Sequence, residues 1–343
     1  MSNPFDRYRR QTRFAPFGEE GQRHLREARV LVVGCGALGC VSADLLVRAG
    51  VGFVRIVDRD FVERDNLHRQ VLFTEADAEA QLPKAVAGAN RLAAVNSAVE
   101  IEPIVADVSP ANIQRLAGDV HVIVDGTDNF ETRYLINDFA VANNLPWVFA
   151  GCVGAEGQTM AIQPGQSCCL SCFLPEPPPA ASMPTCETAG VLAPIVSVVA
   201  AYQAMEVIKL CSGNAGAVNS QLTVFDLWNN QVRSINMLSS RRTDCPTCGQ
   251  RQFPWLSAER GAAVTKLCGR NSVQISPSES HALNLAVLAE KLRSVGPVTA
   301  NNYLLRLAVD DFLITVFADG RAIVGGTEDE AVARTMLAKY VGA

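Results

Sequence analysis

Short, nearly continuous apolar runs alternate with stretches of helical length through the first 150 residues. The run RVLVV at 29–33 predicts a buried strand that ends in Gly34. A glycine-rich turn and an apolar helical stretch from Leu38 to Ala49 follow, then a second strand over 53–57 that stops at Asp58. The pattern continues with a helix near 84–94, strands at 100–105 and 121–125, a helix over 132–143 and a strand at 147–150. Strand, turn, helix and strand in this order, with the strands apolar on both faces, predict an α/β fold with a Rossmann-like, doubly wound parallel sheet.

From Gly151 the character changes. A β-like piece at 158–163 leads into the cysteine- and proline-rich loop SCCLSCFLPEPPPAASMPTC, a long helix over 192–210 and strands at 221–226 and 231–236. The motif CPTCG at 245–249 closes this section. The expected organisation is therefore a nucleotide half over about 1–150, a second half over about 151–249, a linker at 250–262 and a small α/β domain at 263–343. In that last domain a βαβββα order is expected, with helices at 283–292 and 328–340, strands at 303–309, 312–317 and 322–324, and ADG at 318–320 as a hairpin turn.

Composition narrows the function classes. The chain has 343 residues, 48% hydrophobic and 19% charged, which is enough apolar material for a full core and rules out disorder over most of its length. A net charge of −5 argues against nucleic acid as the main partner. The N-terminus MSNPFDRYRRQTRF has no apolar signal region. The best membrane candidate, Thr188 to Met205, is interrupted by Pro194, Ser197, Tyr202 and Gln203, so a buried core helix is expected and no membrane partner. Eleven cysteines without a secretory signal point to metal ligands, nucleophiles or small buried residues in a reducing cytoplasm.

Two groups of residues carry chemistry. Gly34, Gly36, Ala37 and Gly39 make a G-x-G-x-x-G turn directly after a strand, where a helix N-terminus offers free N–H groups to an anion. Asp58, at the end of the second strand, is placed to accept from ribose hydroxyls. These features fit a dehydrogenase as well as other nucleotide enzymes. The next loop, DRDFVERDNLHRQ at 58–70, adds Asp60, Asn66, Arg69 and Gln70; Pro83-Lys84 and DGTDN at 125–129 follow. Arg69 and Lys84 can neutralise a polyphosphate, and Asp128 at a strand end suits Mg²⁺, which is the cation set of phosphate chemistry rather than hydride transfer. Separately, Cys169-x-x-Cys172 and Cys245-x-x-Cys248 are two thiolate pairs that suit one tetrahedral, structural Zn²⁺. Cys35, Cys40, Cys152, Cys211 and Cys268 are expected as buried small residues.

The collinear series RYxRQ, GxGxLG, DxDxVxxxNLxRQ, PK, GTDN, CxxC, TCxxAGVLAP and CxxCG, over residues 7 to about 249, resembles the MoeB/ThiF branch of the ubiquitin-activating-enzyme superfamily. The resemblance implies an adenylyltransferase that uses ATP and Mg²⁺ on the C-terminal Gly-Gly carboxylate of a ubiquitin-like sulfur-carrier protein, releasing pyrophosphate. It implies that the turn at 34–39 holds the nucleotide, that Asp58 binds ribose, and that Asp60, Asn66 and Gln70 shape the surrounding loop. Arg69 and Lys84 would stabilise charge on the phosphates, and Asp128, with Asn129 beside it, would organise Mg²⁺. Arg10 matches a family arginine that reaches into a partner subunit, implying a homodimer. Cys186 matches the family's reactive cysteine, a thiol site in some members and silent in others, and a sulfur donor is a further implied partner. Ala37 stands where relatives often have glycine, and Cys168 where they usually have proline. The last domain does not match the rhodanese that some relatives carry, since its Cys268 lies early and before a strand.

Other readings stay open at this point. A nicotinamide dehydrogenase leaves Arg10, Arg69, Lys84 and Asp128 unexplained. A tRNA cyclic-threonylcarbamoyladenosine dehydratase fits poorly with both C-x-x-C pairs and the acidic balance. A non-catalytic carrier-binding scaffold has no need of so complete a nucleotide set. The carrier's pathway, molybdopterin, thiamine, cysteine or tRNA thiolation, is left open by the sequence.

Overall fold

The computed structural model describes residues 5–178, 186–260, 264–267, 271–275 and 283–341. The chain divides into two units, Met1–Arg260 and Gly261–Ala343. The first is built on an eight-stranded sheet in the order β3-β2-β1-β4-β5-β6-β7-β8. Its strands are β1 (Arg29–Val33), β2 (Phe53–Asp58), β3 (Glu100–Val105), β4 (Val122–Asp125), β5 (Trp147–Val153), β6 (Glu156–Ile162), β7 (Leu222–Asp226) and β8 (Gln231–Ile235). The first five are mutually parallel and the last three join antiparallel.

The central strands lie in apolar surroundings on both faces because each face is covered. Val30 and Val32 of β1 enter one core, whereas Leu31 and Val33 enter the other. The main helices of this unit are α1 (Gly18–Glu27), α2 (Ala37–Ala49), α3 (Lys84–Val95), α4 (Phe130–Asn143) and α5 (Ala193–Cys211). Helix α2 stops at Gly50, whose φ of +88° makes the left-handed cap that closes many helices. Helix α1 has no counterpart in the sequence reading, because its buried positions are few: Gly21, Gln22 and Leu25.

Among the described residues α5 alone is long and apolar enough to cross a membrane by length and composition. Its place explains that apolarity: it packs against α2, β5 and β6. Its polar groups are paired within the core. Gln203, with no exposed surface, donates Nε2 to Asp125 O and Val148 O, both at 2.8 Å, and accepts from Ser42 Oγ at 2.8 Å. Glu206 accepts from Lys209 Nζ at 2.7 Å and from Asn219 N at 2.8 Å.

The segment 250–260, expected as part of a linker, is instead folded onto the first unit. The Trp255 ring stacks on Tyr134 at 5.4 Å, and its backbone N–H donates to the buried Asp138 carboxylate at 2.9 Å. Apolar contact and one buried acceptor fix a stretch whose composition reads as loop.

The second unit has β9 (Val264–Leu267), β10 (Ser272–Ile275), β11 (Val298–Ala300), β12 (Leu304–Val309), β13 (Phe312–Phe317) and β14 (Ala322–Gly325) in the antiparallel order β11-β12-β13-β14-β10-β9. Helices α6 (Leu285–Leu292) and α7 (Glu330–Tyr340) close a separate core around Leu305, Leu307, Ile314 and Val316. Side chains of Asn284 and Asp329 cap these helices. The ADG hairpin turn is present, with Gly320 at φ +88°. Strands β9 and β11, short and without a strong alternating pattern, are additional to the expected βαβββα order.

Gln203→Leu would leave two strand carbonyls, Asp125 O and Val148 O, and the Ser42 hydroxyl without this partner. The expected loss is about 3 kcal/mol, read as a lower urea midpoint for the first unit with an unchanged denaturant slope. A change within experimental error would show that this amide does not tie α5 to the sheet.

Candidate functional site

The strand order reverses between β1 and β4, and a doubly wound sheet opens a crevice at the C-terminal ends of such a pair. Here the crevice floor is backbone. Gly34 has φ +89°, and a Cβ on it would lie 2.7 Å from Gly126 O. A Cβ on Gly39 would lie 1.8 Å from Gly34 O, and one on Gly126 would lie 2.5 Å from Gly34 O. Three chain segments thus meet with no space for a side chain. Gly36 is the N-cap of α2 and Ala37 its first residue, and no side chain caps the helix. The first-turn N–H groups are left to an anion by this arrangement.

Asp58 holds the turn from below. Its Oδ2 accepts from Cys35 N at 2.6 Å and its Oδ1 from Asp60 N at 2.7 Å. Burial pushes its pKa up to about 6, with Lys84 pulling the other way and Asp60 adding to the rise. Lys84 opens α3; its Nζ lies 3.1 Å from Asp60 Oδ2 and only 6% of its side chain is exposed. A backbone bond from Lys84 N to Asp60 O at 2.9 Å ties the two loops together. Asn66 and Gln70 are both buried, and among the described residues neither Asn66 Oδ1 nor Gln70 Oε1 has a hydrogen-bond donor. Arg69 is half-buried and donates Nη1 to Asp65 O at 3.1 Å.

The structure therefore brings Asp58, Asp60 and Lys84 together around the turn. Asp128 is exposed at the end of β4, within the electrostatic reach of Arg59. Burial opposes the charge on Arg59, but Asp107, Asp60 and Asp128 overcome that and hold the guanidinium above its usual range. Asn129 does something local: its Oδ1 accepts from Thr132 N at 2.8 Å and caps α4. Arg10 is exposed on a short helix, Arg9–Thr12, and is not brought to the turn of its own chain. Cys186 begins the helix Cys186–Ala189, and its side chain lies outside the described residues.

Two buried polar groups shape the DGTDN turn: Asp125, to which the sequence reading gave no role of its own, and Arg133, which it did not single out. Asp125 accepts from Thr127 N at 2.9 Å and Thr127 Oγ1 at 2.7 Å, and from Arg133 Nε at 3.0 Å. Arg133 also donates to Thr127 O at 2.7 Å and Ala150 O at 2.9 Å, joining the turn to β5.

The four Sγ atoms of Cys169, Cys172, Cys245 and Cys248 all lie within 4.8 Å of one another. Contacts of 3.8, 3.6 and 3.3 Å link Cys169 to Cys172, Cys169 to Cys245 and Cys172 to Cys248. Tetrahedral zinc with bonds of about 2.3 Å needs sulfur–sulfur edges of about 3.8 Å, so this donor set fits the ion. Asn137 Oδ1 accepts from Leu170 N, and Thr247 Oγ1 donates to Asp138, holding both thiol-bearing turns on α4. Cys168 stands outside the cluster; burial pushes its thiol up to about 11.

Because folding keeps the proton on Asp58 up to about pH 6, while an unfolded aspartate releases it near about 3.9, the folded state binds more protons in between. The contribution is complete below that lower value and is lost as pH rises through about 6. Carboxyl-carbon NMR should place the Asp58 midpoint near 6, and Asp58→Asn should flatten the fall in stability over this window. A midpoint at the ordinary carboxylate value would contradict the burial argument.

The sequence profile of the ThiF family matches residues 8–247. The chain is 44% identical over 337 residues to the sulfur carrier protein ThiS adenylyltransferase of Bacillus subtilis (strain 168), covering 98% of this chain and 99% of that one. It is 41% identical over 278 residues to the adenylyltransferase and sulfurtransferase MOCS3 of Sus scrofa, covering 80% of this chain but only 60% of the relative's length. The solved structure of E. coli MccB with ATP is 24% identical, with a TM-score of 0.62 over 71% of this chain and 74% of that one, a likeness of fold. Matched over most of its length by profile and over nearly all of it by a full-length relative, the chain belongs to the ThiF family.

Proposed function

We propose that this chain adenylates the C-terminal carboxylate of a small ubiquitin-like sulfur-carrier protein ending in Gly-Gly, using ATP and releasing pyrophosphate. The observation that carries the reading is the convergence of an uncapped helix start, a buried lysine and a buried aspartate on one switch-point crevice. The full-length Bacillus relative, named for a ThiS carrier, supports a carrier of that type.

The chemistry suits what is present. A carrier carboxylate oxygen bonds to the α-phosphorus as the bond to pyrophosphate breaks; the nucleophile is already ionised near neutral pH, so no base is needed. The obstacle is bringing anions together, which calls for positioning and positive charge. The turn at 34–39 and the N-terminus of α2 receive the phosphates, and Lys84 and Arg69 stabilise their charge. Asp58 keeps acceptor capacity for a ribose hydroxyl beside its two backbone donors, and Asn66 and Gln70 offer buried acceptors in the adjoining loop. Asp128 would hold the Mg²⁺ that accompanies ATP, which neutralises charge on the leaving pyrophosphate. Arg10 acts in the site of a second copy, making the working form a homodimer. Cys186 is the candidate thiol for later sulfur transfer from a donor.

The four clustered cysteines would hold a structural zinc, which would cross-link the turn at 169–172 to the one at 245–248 and supply no chemistry at the phosphate. A reducing cytoplasm keeps those thiols available as ligands.

Lys84→Ala should lower carrier-dependent ATP–pyrophosphate exchange by about 10²–10³-fold. Exchange that persists undiminished, or that needs no Gly-Gly carrier, would count against the reading. Metal analysis should return one zinc per chain, and Cys172→Ala should lose it together with several degrees of melting temperature. A metal-free wild-type protein of equal stability would remove the structural role.

A further inference from the structure

The start of the chain is held down by two buried amides that neither core packing nor the phosphate crevice requires. Asn96, fully buried just after α3, donates Nδ2 to Tyr8 Oη at 2.8 Å and to Val47 O at 2.8 Å. The Tyr8 ring rests on Gly50, where a Cβ would come within 2.5 Å of it. Gln22, fully buried on α1, donates to Ala49 O at 3.0 Å and accepts from Gln11 Nε2 at 2.7 Å; Gln11 also reaches Ala49 O at 3.0 Å. Burying amides is costly unless they are paired, and these pairs are completed by Tyr8 and Gln11. Those two residues flank Arg9 and Arg10, so the segment is pinned on both sides of two exposed arginines.

The pins sit at a telling place. Ala49, Gly50, Val47 and Asn96 mark the C-terminal ends of α2 and α3, whose opposite ends carry the phosphate turn and Lys84. Those helices have 13 and 12 residues, so each end is separated from the other by about 17–18 Å, whereas an arginine side chain extends only about 7 Å. The anchored segment therefore holds Arg10 away from the crevice of its own chain.

Resting on the adenylation reading, we propose that Tyr8 and Gln11, through Asn96 and Gln22, are positioning residues. They fix Arg10 outward so that it completes the phosphate site of a second copy of this chain, and they matter for that other site rather than their own.

The full-length double variant Tyr8→Phe/Gln11→Ala keeps the ring on Gly50 and the Arg7 Nη1 bond to Val95 O at 2.9 Å, and removes the Tyr8 and Gln11 pins on either side of Arg9 and Arg10. Carrier-dependent exchange should fall about 10- to 100-fold, and the same pair should cause no further loss in an Arg10→Ala chain. Mixing the double variant with Lys84→Ala chains under conditions of subunit exchange should restore about a quarter of the wild-type sites, because half of the random dimers pair an intact Lys84 with a well-held Arg10. A defect in the variant's own crevice would not be repaired in this way. Unchanged exchange, an additive loss in the Arg10→Ala background, or no rescue on mixing would each overturn the proposal. Absence of exchange in the wild-type protein would instead remove the adenylation reading, and this inference with it.

Discussion

The close approach of three backbones, at Gly34, Gly39 and Gly126, is the constraint on which the rest of the site depends. The helix α2 can begin directly behind β1 only because Gly39 passes against the Gly34 carbonyl, and β4 can deliver its turn there only because Gly126 does the same. Any side chain at these points would push the helix start away from the strand ends. The uncapped N–H groups would then face a wider gap and lose their common focus. Backbone contact of this kind offers no adjustment, so the surroundings must hold it.

They do so with buried polar groups. Asp58 ties the turn to the loop that follows β2, and Asp125 with Arg133 ties the β4 turn to β5. Gln203 then joins β4, β5 and α2 to the core helix α5. Each would be destabilising unpaired, and paired each permits one arrangement of the strand ends. The cysteine cluster does similar work farther along, binding the turn at 169–172 to the one at 245–248 against α4. The crevice is thus assembled from parts whose positions leave little freedom, as charge-stabilising catalysis requires.

How much of this was legible depends on what kind of signal each element leaves. The parallel strands were readable because burial on both faces writes a continuous apolar run, and the turn because three glycines at fixed spacing are costly without a reason. The two C-x-x-C pairs were readable from ligand chemistry. Helix α1 was not, since only a narrow stripe of it is buried, and 250–260 looked like linker although Trp255 and its partner Asp138 lock it in place. Arg133 and Gln203 were invisible for another reason: a polar residue within a helix leaves no trace in the sequence of which carbonyls it meets across the fold. Asn129 had a visible local role, because a side chain three residues before a helical N–H is a cap first.

The most direct test of the account follows the carrier's own oxygen. A carrier labelled with heavy oxygen in its terminal carboxylate should, after activation and capture by a thiol nucleophile, leave one labelled oxygen in AMP. Attack at the α-phosphorus followed by breakage of the acyl–oxygen bond puts it there and nowhere else. Label in orthophosphate, or its complete retention in the carrier while ATP is consumed, would contradict adenylation and with it the role assigned to the crevice.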